Sequence, residues 1–170
     1  MKVLLISANT AEINMPTLPL GLVCVATATQ AAGHAVEILD LRPQQEPQKQ
    51  VQAAIEKFQP AVIGISVRNI DDQNMENTTF LLEEVRNVVA VCRAHSGVPI
   101  ILGGAGYSIF PEAVLEYLGA DAGIQGEGEM AFPALLEKLQ NKLKLSEMPG
   151  IYLPQYGLQG KRIFTKNLDS

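Results

Sequence analysis

The segment PIILGGAGYSIFPEAVLEYLGADAGIQG, residues 99–126, reads as a strand, a glycine-rich turn, a helix and a second strand. Its two apolar ends, residues 99–104 and 121–126, are too short for helices and too continuous for half-exposed strands. Such runs are typical of strands that are buried on both faces. Pro111 is suited to the first turn of the helix between them. The segment therefore predicts two parallel strands joined by a right-handed helical crossover.

The same alternation extends over the rest of the chain. Further apolar runs of this kind occupy residues 2–7, 35–41 and 61–66. Between the runs, helical stripes are formed by Val51, Ala54, Ile55 and Phe58, by Leu81, Val85, Val88 and Cys92, and by Phe132, Leu135, Leu136 and Leu139. Residues 19–32 are small and apolar on nearly every side, which predicts a deeply buried helix.

Strands that alternate with helices predict a doubly wound, three-layer α/β/α sandwich over residues 1–143. We expect a five-stranded parallel sheet in the flavodoxin-like or Rossmann-like order 2-1-3-4-5. Residues 144–170 differ in character, because strand-like pieces at 150–153 and 161–165 flank a loop that contains glycine and proline. This predicts a hairpin. It is either an edge hairpin of the same domain or a linker toward a further domain.

Composition limits the classes of partner. The chain has 170 residues, 47% of them hydrophobic, which suffices for one core. Its net charge of -5 argues against nucleic acid and against an anionic membrane surface. The first apolar run is too short for a signal peptide or a membrane span, so we expect a cytoplasmic protein. Cys24 and Cys92 lie in apolar helical patterns and are predicted to be buried structural thiols.

A ligand of such a fold binds outside the carboxyl ends of the strands, near the point where strand order reverses. The loops at that edge are residues 7–18, 67–77, 103–110 and 126–129. His34 and His95 follow helices that run away from this edge, so no histidine chemistry is expected there. Ser66 ends the third strand and offers a hydroxyl group beside the switch point.

Glycines concentrate at the same edge. Gly103, Gly104 and Gly106 follow a buried strand, with Tyr107 and Ser108 directly after them. Glycine allows a ligand to approach the backbone closely and allows a positive φ. Either a tight strand-to-helix turn or a binding surface would use such residues, and three glycines favour the binding surface.

A second glycine turn contains Gly126, Gly128 and Ala131, which satisfy the dinucleotide pattern G-x-G-x-x-A. That pattern belongs after the first strand of a βαβ unit, whereas this turn follows the fifth strand. Glu127 and Glu129 would also repel a pyrophosphate at close range. We therefore do not expect a dinucleotide at this turn, and Glu129 is favourable at a helix N-terminus.

Taken in order, these segments resemble the cobalamin (vitamin B12)-binding domain at the N-terminus of B12-dependent radical SAM proteins. The resemblance covers about residues 1–165, and four elements carry it. They are LPLGLVCVATATQAAGHAVEILD (18–40), Ser66, ILGGAGYSIFPEAVLE (101–116) and GADAGIQGEGE (119–129).

The resemblance implies roles for individual residues. Ser66, Gly103 and Gly104 match the Ser and Gly-Gly elements that accommodate the cobalamin nucleotide tail. The turn at 126–128 matches the one beside the dimethylbenzimidazole end, and the first loop would face the corrin. The predicted cofactor-binding residues are Asn9, Thr10, Ser66, Val67, Gly103, Gly104, Gly106, Tyr107, Gly126, Glu127 and Gly128. No catalytic and no metal-ligating residue is predicted.

Two absences shape what the resemblance implies. Many B12 domains carry D-x-H-x-x-G after the first strand, whereas ANTAEINMPTLPLG (8–21) has no histidine, so the cobalt would lack a histidine ligand from this segment. The chain also lacks C-x-x-x-C-x-x-C, the site of a radical SAM cluster. S-adenosylmethionine and a 4Fe-4S cluster would therefore belong to a radical SAM barrel elsewhere in a longer polypeptide, and this chain alone would not be catalytic. The full-length protein would carry out methyl transfer, radical rearrangement or cyclisation.

Two other functions compete with this interpretation. A flavodoxin-like electron-transfer module would use Ser7, Asn9 and Thr10 to hold the phosphate of FMN. That loop has no glycine for close backbone approach, and Tyr107 and Phe110 are the only aromatic residues in the four loops. A ligand-free interaction domain would use the glycine loops only for packing.

Overall fold

Strands and helices alternate along the chain in the computed structural model, which describes residues 1–8, 18–42, 45–72, 76–146 and 148–160. In chain order the elements are β1 Lys2–Ser7, α1 Leu20–Ala31, β2 Ala35–Asp40, α2 Pro47–Phe58, β3 Val62–Ser66, α3 Leu82–His95, β4 Ile100–Gly103, α4 Ala105–Ile109, α5 Pro111–Leu118, β5 Ala122–Ile124, α6 Gly128–Gln140, β6 Ile151–Leu153 and β7 Gly157–Gln159.

All of the strands belong to one sheet in the order β2-β1-β3-β4-β5-β6-β7. The pairs from β2 to β5 are parallel, whereas β5 pairs with β6, and β6 with β7, in the antiparallel direction. The predicted α/β class is confirmed. The predicted five-stranded parallel sheet describes only part of a seven-stranded mixed sheet, because the hairpin hydrogen-bonds directly to the edge strand β5.

The hairpin differs from the prediction in its second strand. The partner of β6 is Gly157–Gln159 rather than residues 161–165, and Tyr152 lies opposite Leu158 in the register. A turn over residues 154–156 joins the two strands, with the amide of Tyr156 donating to the carbonyl of Leu153 at 3.2 Å. Residues 161–165 lie outside the described residues.

Alternation along the strands divides the core into two layers. In β1, Leu4 and Ile6 point to the face covered by α2, α3 and α5, whereas Val3 and Leu5 point to the face covered by α1 and α6. Burying each such side chain stabilises the fold by about 1.5–3 kcal/mol. The helical stripes predicted from 3.6-residue spacing face these layers.

Helix α1 is less buried than predicted. Only Leu22, Ala26 and Thr29 are buried, and Leu20 is 69% exposed. The helix contacts the sheet and α6 with one stripe, so its other sides remain open even though they are apolar. For the same reason Cys24 is exposed, contrary to the prediction.

Cys92 is buried in the opposite layer, as predicted. Burial raises the pKa of its thiol to about 12, because the interior disfavours the charged thiolate.

Three strand ends lie side by side at the carboxyl edge of the sheet. Ser7 pairs with Ser66, and Ser66 pairs with Gly103. Main-chain hydrogen bonds continue just beyond the strands, since the amide of Val67 donates to the carbonyl of Gly103 at 2.8 Å. His34 lies at the opposite edge, as predicted, with its Nδ1 3.0 Å from the N-terminal nitrogen of Met1.

Candidate functional site

A cavity of about 600 Å³ lies at the carboxyl edge, on the sheet face that α1 and α6 cover. We call it the α1/α6 cavity. Its floor includes Ser7, Ser66 and Gly103 at the strand ends, and its walls include Leu22 of α1 and Phe132 of α6. A volume of this size is typical of small-molecule and cofactor sites. The carboxyl-edge position is the one predicted from the sequence.

Two glycines on the floor have different functions. A Cβ added to Gly64 would lie 2.6 Å from Cδ2 of Leu5 and 3.3 Å from Cζ of Phe132, so neighbouring side chains already fill that space. A Cβ added to Gly103 would come no closer than 3.9 Å to its nearest neighbour, the carbonyl oxygen of Ile124. The missing side chain of Gly103 therefore leaves usable room in the cavity.

The next two glycines serve the packing of one loop against another. Gly104 has a φ of 101°, and a Cβ there would lie 2.5 Å from the carbonyl oxygen of Val67. A Cβ on Gly106 would lie 2.9 Å from the carbonyl of Arg68. The amide of Gly106 donates to the carbonyl of Val67 at 3.0 Å. Both glycines let the loop after β4 dock onto the end of β3, and only Gly104 also lines the cavity.

Tyr107 lies away from the cavity. Its side chain is fully buried in the layer formed with α2, α3 and α5, and its hydroxyl occupies the space that a side chain on Gly123 would need. That hydroxyl has no hydrogen-bond partner in the described part of the chain. Burial, and secondarily Tyr152, raise the pKa of the phenol well above its usual value. The Tyr107 ring is therefore part of the hydrophobic core.

Ser108 joins the two glycine turns. Its Oγ donates to the carbonyl of Gly104 at 2.9 Å and accepts from the amide of Gly126 at 3.0 Å. The Nε2 of buried Gln125 donates to the carbonyl of Ser108 at 3.1 Å. Because Ser108 also lines the cavity, these bonds fix the shape of the wall that a ligand would meet.

The turn before α6 lies directly beside the turn after β4. Gly126, Glu127, Gly128 and Glu129 all line the cavity, and Gly126 has a φ of 94°. A Cβ on Gly128 would lie 2.8 Å from Cγ2 of Val25, so this glycine allows α6 to begin close to α1. Oε2 of Glu129 is buried and has no hydrogen-bond partner among the residues that the structure describes.

Sequence reasoning missed charged residues of the cavity. Asp40 at the end of β2 forms an ion pair with Arg42, with Oδ2 and an Nη 3.1 Å apart, and both side chains are partly buried. Arg68, after β3, also lines the cavity. The sequence does contain a signal for these residues. The second strand also ends at the carboxyl edge, so the loop that follows it belongs among the candidate ligand-binding loops.

The structure separates the predicted cofactor-binding residues into three groups. Six line the α1/α6 cavity, namely Ser66, Gly103, Gly104, Gly126, Glu127 and Gly128. Three do not line it and instead pack beneath it, namely Val67, Gly106 and Tyr107. Asn9 and Thr10 lie outside the described residues. Cofactor binding by the residues that line the cavity stays a prediction at this point.

The described ranges contain no group of three or more His, Cys, Asp or Glu side chains placed to hold a metal ion. No helix within the described chain has both the length and the apolar character needed to cross a bilayer.

Comparison with known proteins identifies a matching family. The family model described as "B12 binding domain" matches residues 6–136. The tryptophan 2-C-methyltransferase of Streptomyces laurentii is 28% identical over 122 residues, which is 71% of this chain and 20% of that protein. The hopanoid C-3 methylase of Methylococcus capsulatus is 28% identical over 153 residues, which is 89% of this chain and 28% of the relative. The chain spans between 20% and 33% of the length of the curated relatives that it matches.

Solved structures agree with this match. The radical S-adenosylmethionine methyltransferase TsrM of Kitasatospora setae, with cobalamin and a [4Fe-4S] cluster bound, superposes with a TM-score of 0.88 at 25% identity. The superposition covers 99% of this chain and 30% of TsrM. The cobalamin-dependent enzyme OxsB, with aqua-cobalamin bound, gives a TM-score of 0.73 at 20% identity over 96% of this chain and 22% of OxsB, which is a likeness of fold.

Proposed function

This chain belongs to the B12-binding domain family, and from that premise we propose that it binds cobalamin in the α1/α6 cavity and presents it to a radical SAM domain of a longer polypeptide. The observation that carries the proposal is the convergence of Ser66, Gly103 and Gly104 with the turn at 126–128 on one cavity. The same positions resemble cobalamin-binding elements in the sequence, and local sequence does not dictate that they meet in space.

The residues of the cavity fit the nucleotide tail of cobalamin. The floor is open above Gly103, where a side chain would otherwise project, and the apolar walls come from residues such as Leu22 and Phe132. Polar groups include Ser7 and Ser66 at the edge of the sheet, together with charged residues such as Arg68. A mostly apolar cavity with a few convergent polar groups suits a ligand with a planar aromatic base and a polar linker.

The cofactor supplies the reactive chemistry when bound, and this chain supplies binding, orientation and exclusion of water. Because the stretch at 8–21 contains no histidine, it would provide no imidazole to the cobalt. The grip on cobalamin would therefore come from the cavity and from contacts to the ligand periphery rather than from a metal–histidine bond.

The reacting partner would lie outside this chain. Cys24 is exposed on α1 and Cys92 is buried on α3, so the two thiols cannot provide the three cysteines of a radical SAM cluster. We assign S-adenosylmethionine and the cluster to the proposed radical SAM domain. The names of the related proteins, several of them methyltransferases, favour methyl transfer as the reaction of the complete polypeptide.

A direct binding measurement tests the cofactor. The purified chain is mixed with hydroxocobalamin or with FMN, and ligand binding is followed by equilibrium dialysis together with the melting temperature. Cobalamin binding with a rise in melting temperature is the expected result, since a ligand of the native state stabilises it. Binding of FMN alone would replace the proposal with the flavodoxin-like function. Binding of neither ligand would favour an interaction domain.

The native reading frame tests the proposed partner domain. A C-x-x-x-C-x-x-C motif beyond residue 170 is expected if the chain is the first part of a radical SAM protein. A different domain at that place would leave cobalamin binding intact as a proposal but would remove methyl transfer by a radical SAM barrel.

A further inference from the structure

The β6–β7 hairpin is attached to the strand that leads into the ligand site. The family model matches residues 6–136, so the hairpin at 148–160 lies outside the matched segment. Even so, β6 pairs with β5, with Ile151 opposite Ile124, and Ile124 lines the α1/α6 cavity. None of the described residues 148–160 lines the cavity itself. The hairpin therefore supports the site indirectly, without contact to a ligand inside the cavity.

One residue after β5 connects the hairpin to the site. The main-chain amide of Gln125 donates to the carbonyl of Gly150 at 3.1 Å, and its side-chain Nε2 donates to the carbonyl of Ser108 at 3.1 Å. Gln125 is only 7% exposed. Because a buried polar group that loses its partner is costly, both bonds constrain where this residue can lie.

The connection continues in both directions. Toward the hairpin, the amide of Gly150 donates to the carbonyl of Gln159 in β7 at 3.0 Å. Toward the cavity, Oγ of Ser108 donates to the carbonyl of Gly104 at 2.9 Å and accepts from the amide of Gly126 at 3.0 Å. Successive hydrogen bonds thus lead from β7 to both glycine turns that line the cavity. A connected network of this kind holds its members in one arrangement.

We propose that the hairpin and the α1/α6 cavity are coupled through Gln125, which makes Gln125 a positioning residue for the bound ligand. This inference rests on the proposed function, because the ligand concerned is cobalamin. Gln125 holds Ser108 and the turn at 126–128 in place before the ligand arrives, which lowers the entropy cost of binding. Since coupling is reciprocal, a bound ligand also makes the hairpin harder to open.

Three variants separate positioning from stability. Gln125→Met keeps the length of the side chain and removes the donor to Ser108. Gln125→Glu has no donor proton when ionised and regains one when its carboxyl group is protonated. Val88→Ala removes buried methyl groups from the layer on the other face of the sheet and is the control for lost stability alone. The dissociation constant for hydroxocobalamin and the melting temperature of the ligand-free protein are measured for each.

The affinity should follow the donor of Gln125. Gln125→Met should weaken cobalamin binding about threefold to tenfold, the range that one net hydrogen bond provides. Val88→Ala should lower the melting temperature without changing the dissociation constant. Gln125→Glu should bind as weakly as Gln125→Met at pH 8. As pH falls, it should regain affinity relative to the wild type at the same pH, since burial raises the pKa of a carboxyl group above about 4.3.

Amide hydrogen exchange of the wild type tests the reverse direction. Cobalamin should slow exchange of the Gly150 amide more than exchange of the Ser96 amide, which lies at the end of α3 on the opposite edge and reports general stabilisation. This extra protection of Gly150 should be lost in Gln125→Met. The wild-type comparison needs no variant, so it tests the coupling even if Gln125→Met fails to fold.

Four results would overturn this inference alone. One is equal cobalamin affinity in the wild type and Gln125→Met. Another is equal slowing of exchange at Gly150 and Ser96 in the wild type. A third is extra protection of Gly150 that persists in Gln125→Met, because the ligand would then cover that amide directly. The fourth is a loss of affinity in Val88→Ala as large as in Gln125→Met, which would make the effect one of stability. A wild type that binds no cobalamin overturns the proposed function, and this inference falls with it.

Discussion

Oγ of Ser108 lies 3.0 Å from the amide nitrogen of Gly126, so one hydroxyl group joins the turn after β4 to the turn after β5. The same oxygen donates to the carbonyl of Gly104 at 2.9 Å. Two adjacent glycine turns that both line the cavity are thereby held at a fixed separation. A cavity whose walls are fixed before binding loses less conformational entropy when a ligand arrives.

Replacing Ser108 with alanine should therefore reduce the free energy of cobalamin binding by more than it reduces the free energy of unfolding. The variant loses two hydrogen bonds, each worth about 1 kcal/mol in net stability. Urea unfolding gives the loss of stability, and equilibrium dialysis gives the change in cobalamin affinity. Ser108→Thr keeps the hydroxyl and should restore most of the affinity.

Ser96 provides a matched control for this variant. Its Oγ also donates to a carbonyl four residues earlier, that of Cys92, but it lies at the end of α3 on the opposite edge. Ser96→Ala should lower stability by a similar amount per hydrogen bond and leave cobalamin affinity unchanged. Equal affinity losses in the two alanine variants would show that Ser108 acts only through stability.

Filling the floor of the cavity should block the ligand while preserving the fold. Gly103→Leu places a side chain where the nearest atom to its Cβ is 3.9 Å away, so the change projects into open space. We expect cobalamin binding to be lost, with a small change in melting temperature. Gly97→Leu is the control, because Gly97 lies before β4 at the other edge and also has free space around it.

Gly104 would be a poorer choice for this experiment. A Cβ at Gly104 would lie 2.5 Å from the carbonyl oxygen of Val67, and its φ of 101° disfavours other residues. Any substitution there should lower stability together with binding. If Gly103→Leu retained full cobalamin affinity, the placement of the ligand on this floor would be wrong.

These glycines show which features of the fold and of the site can be predicted from the sequence. Short buried strands and helical spacing predict the α/β fold and the edge at which Ser66 and Gly103 meet, because both follow from local periodicity. They cannot tell why a glycine is present. Gly103 leaves space for a ligand, whereas Gly106 is required by contact with the next loop, and that difference depends on tertiary packing.

The features that were not predicted from the sequence also depend on tertiary packing. The Asp40–Arg42 pair is visible in the sequence, but its place in the cavity depends on how β2 lies beside β1. The exposure of α1 depends on which elements cover it, and apolar composition alone predicted burial. Long-range arrangement, rather than local propensity, determines both.

The two cysteines should differ sharply in reactivity. Cys24 is exposed, whereas burial raises the pKa of Cys92 from an ordinary value near 9.0 to about 12. In Cys24→Ser, the disulfide reagent DTNB at pH 8 should label no thiol in the native protein and one thiol after unfolding. Rapid native labelling of Cys92 would contradict its burial.

The raised pKa of Cys92 also gives a pH dependence of stability. The folded protein holds the Cys92 proton more tightly than the unfolded chain does. This contribution is complete below the unfolded pKa near 9.0 and is lost as pH rises toward about 12. The free energy of unfolding should thus fall with rising alkaline pH more steeply in the wild type than in Cys92→Ala, when both are followed by urea titration.

A substitution of Tyr107 tests whether this residue belongs to the hydrophobic core or to the cobalamin site. Its hydroxyl is buried without a hydrogen-bond partner among the described residues, and its ring packs in the layer on the other side of the sheet from the cavity. Tyr107→Phe removes that hydroxyl and keeps the ring. The free energy of unfolding should stay the same or rise by about 1 kcal/mol, since an unsatisfied buried group is lost. Cobalamin affinity should not change, because no atom that lines the cavity is altered.

Tyr117→Phe, at an exposed position on α5, is the control for loss of a phenolic hydroxyl. A loss of affinity in Tyr107→Phe without a loss of stability would instead return Tyr107 to the cofactor-binding set, and the loop after β4 would then have to rearrange when the ligand binds.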